Sequence, residues 1–123
     1  MNNKIINLTQ HAATLEQVNA GVVDLTGNSL EALKANLTFT YMPDKKGIVE
    51  RAERIAALAE AHGFTKAMIG GAPYLMSSLE TALKVAGITP VYAFSERISK
   101  EETLPDGTVR KVNIFQHRGF IEV

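Results

Sequence analysis

No cysteine occurs among the 123 residues. That single absence excludes disulfides, thiolate catalysis, zinc–thiolate sites and iron–sulfur clusters together. Histidine is sparse as well, and His11, His62 and His117 are too scattered to form a metal-binding pair on one helix face. Charge of one sign is missing: 13 basic residues balance 13 acidic ones, so there is no broad basic surface for long nucleic acid. No apolar run approaches the ~18 residues of a membrane span. Met1-Asn2-Asn3-Lys4 leads straight into Ile5-Ile6, without the apolar stretch and small-residue cleavage site of a secretion signal, so a cytoplasmic protein is expected. Neither a Gly-x-Gly-x-x-Gly fingerprint nor a Walker A lysine is present, which speaks against an ordinary dinucleotide or ATP enzyme. Repeats, low-complexity segments and linkers are absent too.

What is present reads as one soluble globular domain, residues 1–123, with 46% apolar and 21% charged residues. Its most informative stretch is Lys66-Ala-Met-Ile-Gly-Gly-Ala-Pro-Tyr-Leu75. A short buried strand runs into two glycines and then into a helix opening on Pro73, whose fixed φ and missing N–H suit the first helical position. Such a reversal leaves the N–H groups of Gly71, Ala72 and Tyr74 at the positive end of a helix dipole, which suits an anion. Gly70-Gly71 also reads simply as a tight turn between strand and helix.

The remaining elements fit around this stretch. Ile5 to Leu8 is a nearly all-apolar strand of parallel-sheet type, with Asn7, Thr9, Gln10 and His11 at its C-terminal end. Thr14-Leu-Glu-Gln17 is a capping box that starts a short helix ending near Gly21. Val22 to Leu25 fits an edge strand or an apolar loop equally well. Asn28-Ser29 starts a helix burying Leu30, Leu33 and Leu37, and Leu37 to Met42 is ambiguous up to Pro43. Asp44 caps a long helix to about His62, with Gly63 as its stop. Ile48, Ala52, Ile55, Ala56 and Ala59 share one helix face, while Glu50 and Arg54 pair on another. His62 is expected to meet the last carbonyls of this helix rather than a ligand.

The helix after Pro73 repeats the pattern with Leu75, Leu79, Ala82, Leu83 and Ala86 and closes at Gly87. Thr89 to Phe94 is a further buried strand. The tail predicts a β-hairpin, Arg97 to Thr103 and Thr108 to Gln116, around the turn Leu104-Pro-Asp-Gly107. In its second arm Lys111, Asn113, Phe115 and His117 share one face, a mixture that suits either a ligand or a solvated surface. The fold class is therefore α/β: a Rossmann-like domain of parallel central strands flanked by helices, with a C-terminal hairpin. Ligands of such sheets lie beyond the strand C-termini, where Asn7, Thr9, Gln10 and His11, Gly70 and Gly71, and Ser95, Glu96 and Arg97 collect. Neutral donors, glycine amides and one arginine suit a phosphodiester and adenine-like polar edges.

The opening Asn7-Leu-Thr-Gln-His-Ala-Ala-Thr-Leu-Glu-Gln17 resembles the start of small stand-alone CRISPR-associated Rossmann-fold (CARF-like) proteins of the ring nuclease type. At the other end, Pro90-Val-Tyr-Ala93, Glu96-Arg97, Leu104-Pro-Asp-Gly107, Val109, Lys111 and the Phe115-x-His117-x-x-Phe120 finish resemble that group's last strand and hairpin. The resemblance implies a homodimer that binds a cyclic oligoadenylate, such as cyclic tetra-adenylate, and cuts it to switch off antiviral signalling. Cutting would use the ligand's own ribose 2′-OH, without metal or other cofactor. It also implies that Asn7 and His11 contact the ring, that Arg97 and Lys111 meet its phosphates, and that His117 or His11 moves the proton. Gly70, Gly71, Ala72, Thr9, Gln10 and Ser95 would complete the binding edge. Two other classes stay open: a protein of the same fold that holds a nucleotide without cutting it, and a partner-binding module of phage or plasmid origin that uses the hairpin as an interface.

Overall fold

A computed structural model describes residues 3–123. Among the described residues nine elements follow one another: β1 (Ile5–Asn7), α1 (Leu15–Asn19), β2 (Val22–Asp24), α2 (Gly27–Leu37), α3 (Lys45–Ala61), β3 (Lys66–Met68), α4 (Pro73–Val85), β4 (Thr89–Thr103) and β5 (Val109–Glu122). The strands form one sheet in the order β2-β1-β3-β4-β5, parallel except for the antiparallel β4–β5 pair. The expected α/β architecture, parallel in its centre and ending in a hairpin, is therefore observed. Among the described residues no helix is long and apolar enough to cross a membrane.

Alternation along the strands sends neighbouring side chains to opposite faces. Ile6, Leu8, Ala67 and Ile69 meet the apolar sides of α2, α3 and α4: Leu33 and Leu37, then Ala52, Ile55, Ala56 and Ala59, then Leu75, Leu79 and Leu83. Those are the faces that the helical spacing marks out, and each fully buried leucine among them contributes about 2 kcal/mol. Ile5, Val22, Met68 and Val91 form a smaller cluster on the other face, with Ala13 and Phe120 against it. That face is thinly covered, because α1 is one short turn of helix that buries none of its own residues.

Three local outcomes differ from, or decide, the sequence expectations. Val22–Asp24 is a strand paired in parallel with β1, which settles its ambiguity. Residues 38–44 are irregular: the Arg51 guanidinium donates to the carbonyls of Ala35, Asn36 and Thr38 and lies 4.2 Å from the centre of the Phe39 ring, so a side chain replaces a ladder there. β4 does not stop at Phe94 but runs on without a break into the hairpin arm, with a bulge at Phe94/Ser95 marking the change. His62 behaves as expected, its Nδ1 donating to the Leu58 carbonyl at 2.8 Å.

Candidate functional site

β1, β3 and β4 run in parallel, so Thr9-Gln10-His11, Gly70-Gly71 and Tyr92-Ala93 emerge side by side at one edge. There they line a cavity of about 460 Å³, together with Thr14 and Gln17 of the α1 capping box and the strand residues Met68 and Ile69. This lies within the usual size range of small-molecule sites.

Its first wall is built on Asn7, which is almost completely buried. The Asn7 side-chain carbonyl accepts from the Thr9 N–H and hydroxyl at 2.9 and 2.7 Å. Its amide donates to the Asp24 carboxylate at 2.8 Å and to the His11 carbonyl at 2.7 Å. Asp24 in turn accepts the Ala13 N–H at 3.1 Å. Every hydrogen-bonding position of Asn7 is thus occupied. It shapes the turn that presents Thr9, Gln10 and His11, and its own contacts are internal. Asn7→Ala should remove the donor beside Asp24 and the acceptor of the Thr9 N–H, at a cost of about 2 kcal/mol. We expect a melting temperature lower by about 8 °C in a thermal melt, and an unchanged value would show that the turn holds without this network.

The second wall is the glycine turn. Gly71 has φ +149°, a region that side chains rarely enter. Ala72 caps α4 without a side-chain hydrogen bond and Pro73 follows as the first helical residue. Leu75 N–H is taken by the Ala72 carbonyl, whereas the N–H groups of Gly71, Ala72 and Tyr74 have no acceptor among the described residues. Beside them Tyr74 is half exposed and its ring meets Phe39 edge-on at 5.0 Å.

Tyr92 supplies the third wall without being an acid or base at neutral pH. Burial, the hydrogen bond to Glu80 at 2.7 Å and that carboxylate's charge push its phenol up to about 12. Gln10 reaches sideways, its amide donating to the Leu37 carbonyl at 3.2 Å. His11 is exposed at the rim.

The ribbon residues lie elsewhere. Ser95 and His117 face each other across the β4–β5 ladder, next to the bulge. The His117 ring packs against the Phe120 ring at 4.9 Å, and the His117 backbone N–H donates to the Glu16 carboxylate at 3.3 Å. Its Nδ1 is buried and finds no partner among the described residues. Arg97 stands four residues beyond Ala93, about 13 Å up the strand, and Lys111 sits opposite Glu101, about 26 Å away. One protomer therefore brings together Thr9, Gln10, His11, Gly70 and Gly71, with Ala72 next to them, but not Arg97 or Lys111. Asp24 and Tyr92 were absent from the sequence-based site. Asp24 ends a strand whose existence was undecided, and nothing in a single sequence distinguishes Tyr92 from a core aromatic.

A family model described as the Uncharacterized protein MJ1673 family matches residues 3–121. The chain belongs to this family. No curated protein and no solved structure matches it. For this MJ1673-family chain, the chemistry of the strand-end pocket is what bears on function. His11, Gln17 and Gly71 line it, and the start of α4 next to Gly71 carries the N–H groups of Ala72 and Tyr74, which like that of Gly71 find no acceptor among the described residues.

Proposed function

We propose that the strand-end pocket binds one nucleotide unit of a cyclic oligoadenylate, that two protomers grip the ring between them, and that the ring is cut by its own ribose 2′-OH. The observation that carries this reading is the set of N–H groups of Gly71, Ala72 and Tyr74 at the start of α4, which find no acceptor among the described residues and suit a phosphate. His11 stands at the rim of the same pocket, within the set of groups able to move a proton. Tyr74 and Phe39 offer aromatic surface for a base beside the phosphate position. Cyclic tetra-adenylate is the ring we favour, from the resemblance of the chain's two ends to ring nucleases. On this reading the protein acts in the cytoplasm and removes an antiviral messenger.

A second reading, binding without cutting, is favoured by one observation: His117 is packed on Phe120 and is not among the residues that line the pocket, so His11 is the one histidine among its described lining residues. Labelled cyclic tetra-adenylate held with excess protein decides between the two, since linear products appear only if the ring is cut. Binding itself is tested by thermal shift. A ligand at a hundred times its dissociation constant stabilises the native state by about 2.7 kcal/mol, which is a rise of roughly 10 °C here. No shift with cyclic oligoadenylates of any size would remove the nucleotide reading.

A further inference from the structure

Beyond Ala93, β4 and β5 leave the rest of the sheet as a two-stranded ribbon, and most of its side chains are exposed. Such a ribbon is marginal in water by itself, and a third strand is the usual remedy. The Leu104 N–H donates to the Thr108 carbonyl at 2.8 Å, and the register runs without a shift from Thr103↔Val109 to Ser95↔His117. Antiparallel pairs alternate between bonded and non-bonded, so the even-numbered residues of β4 bond to β5. Ser95, Arg97, Ser99, Glu101 and Thr103 then turn their N–H and C=O groups to the outer edge. Among the described residues no backbone group pairs with that edge above Val91.

The charges on the ribbon are selective. On one face Glu96 is paired with Arg118 at 2.6 Å and Glu102 with Arg110 at 3.1 Å. On the other, Arg97 and Glu101 take part in no ion pair among the described residues. They stand two residues either side of Ser99. The outer edge of β5 offers nothing comparable, for Arg110, Lys111 and Arg118 occur there without a carboxylate before Glu122.

We infer that the outer edge of β4 pairs antiparallel with the same edge of a second copy of this chain, about a two-fold axis at Ser99. In that register Ser99 faces the partner's Ser99, Arg97 faces the partner's Glu101, and Glu101 faces the partner's Arg97. On the opposite face, half-exposed Phe94 meets the partner's Leu104. Glu96 would face the partner's Glu102, but each is already neutralised by an arginine of its own ribbon. Moving the axis two residues in either direction sets Arg97 against Arg97 or Glu101 against Glu101, and moving it one residue sets Arg97 against Ser99 or Thr103, so among these registers only this one pairs Arg97 with Glu101. The result is a four-stranded sheet closed by about ten backbone hydrogen bonds, an isologous contact that cannot propagate. It also moves Lys111 of each copy to the level of the other copy's Arg97, because Lys111 lies opposite Glu101. The inference stands on the unpaired edge and holds whatever occupies the strand-end pocket.

The chain has no cysteine, so Ser99→Cys introduces a single thiol. Across a two-fold axis its Cα atoms would lie about 5.5 Å apart, within disulfide reach. Mild oxidation at micromolar concentration should convert Ser99→Cys almost wholly into a covalent dimer, while Asn113→Cys, on β5 and a full strand away from the proposed seam, should stay uncrosslinked. In sedimentation velocity the unmodified chain should be a dimer. Arg97→Glu should raise the dissociation constant at least tenfold, and adding Glu101→Arg should restore it. If Arg97→Glu fails to fold by circular dichroism, the Ser99→Cys arm decides alone. A monomer at about 100 µM, a dimer indifferent to Arg97→Glu or refractory to crosslinking through Ser99→Cys, or open-ended polymers would each overturn the inference.

Discussion

Gly70→Asp should weaken binding of cyclic tetra-adenylate by about a hundredfold or more while leaving the free protein folded. The new carboxylate would stand beside the N–H groups at the start of α4, where the phosphate is proposed to sit. Two like charges about 5 Å apart at an effective dielectric of about 20 repel by roughly 3 kcal/mol, which is slightly more than two decades of affinity. Gly70 is the right place for this test. A Cβ there meets only the Thr9 methyl, at an ordinary 3.6 Å, and the backbone is not in the region reserved for glycine. Gly71 is the wrong place, because its φ of +149° would strain any side chain and confuse lost binding with lost structure. Gly70→Ala is the control: it adds the Cβ without the charge and should bind within a few-fold of the parent chain. Full affinity in Gly70→Asp, read by calorimetry, would show that the glycines make a turn and nothing more.

Legibility of the chain followed the length scale of the physics involved. Helix faces were readable because burial of Leu75, Leu79 and Leu83, or of Ala52, Ile55 and Ala59, repeats within one element, and caps such as Thr14 with Gln17 are local hydrogen bonds. Strands β2 and β4 were less readable. β2 has three residues and is made a strand by pairing with β1, a contact between parts of the chain separated by a whole helix. The continuity of β4 through Phe94 depends on β5 and on a bulge, so a reading of β4 alone stops too early. The same limit governed the site. Residues that follow one another at a strand end, such as Thr9, Gln10 and His11, come together along one cavity as their sequence order implies. Arg97 and Lys111 share a face type with them but are set apart along the ribbon by distances that only the sheet register supplies. Asn7 shows the same limit: that its side-chain amide is spent on Thr9, His11 and Asp24 follows from contacts that no single sequence displays.

If the ring is cut, EDTA should leave the rate unchanged and a ring with 2′-deoxy or 2′-O-methyl riboses at the scissile positions should bind and survive. The carboxylates near the strand ends are committed elsewhere: Asp24 to Asn7 and the Ala13 N–H, Glu96 to Arg118. Among the described residues no three histidine, aspartate or glutamate side chains converge as a metal site would require. Attack by a neighbouring 2′-OH needs in-line geometry, a group to move the proton, and donors facing the charge that builds on the phosphate. The pocket offers His11 for the second, and the glycine turn in its wall with the start of α4 offers the N–H groups of Gly71, Ala72 and Tyr74 for the third. Products should therefore end in 2′,3′-cyclic phosphates. His11→Ala should lower the single-turnover rate by about a hundredfold to ten-thousandfold, the usual range for losing a proton-transfer group, with affinity changed much less. His117→Ala, on this geometry, should cost little in rate, since its ring lies against Phe120 rather than along the pocket. Activity lost in EDTA and regained with a divalent ion, or cleavage of the 2′-deoxy ring, would replace the 2′-OH with an activated water. A His11→Ala rate equal to the parent's would move the proton transfer to another group.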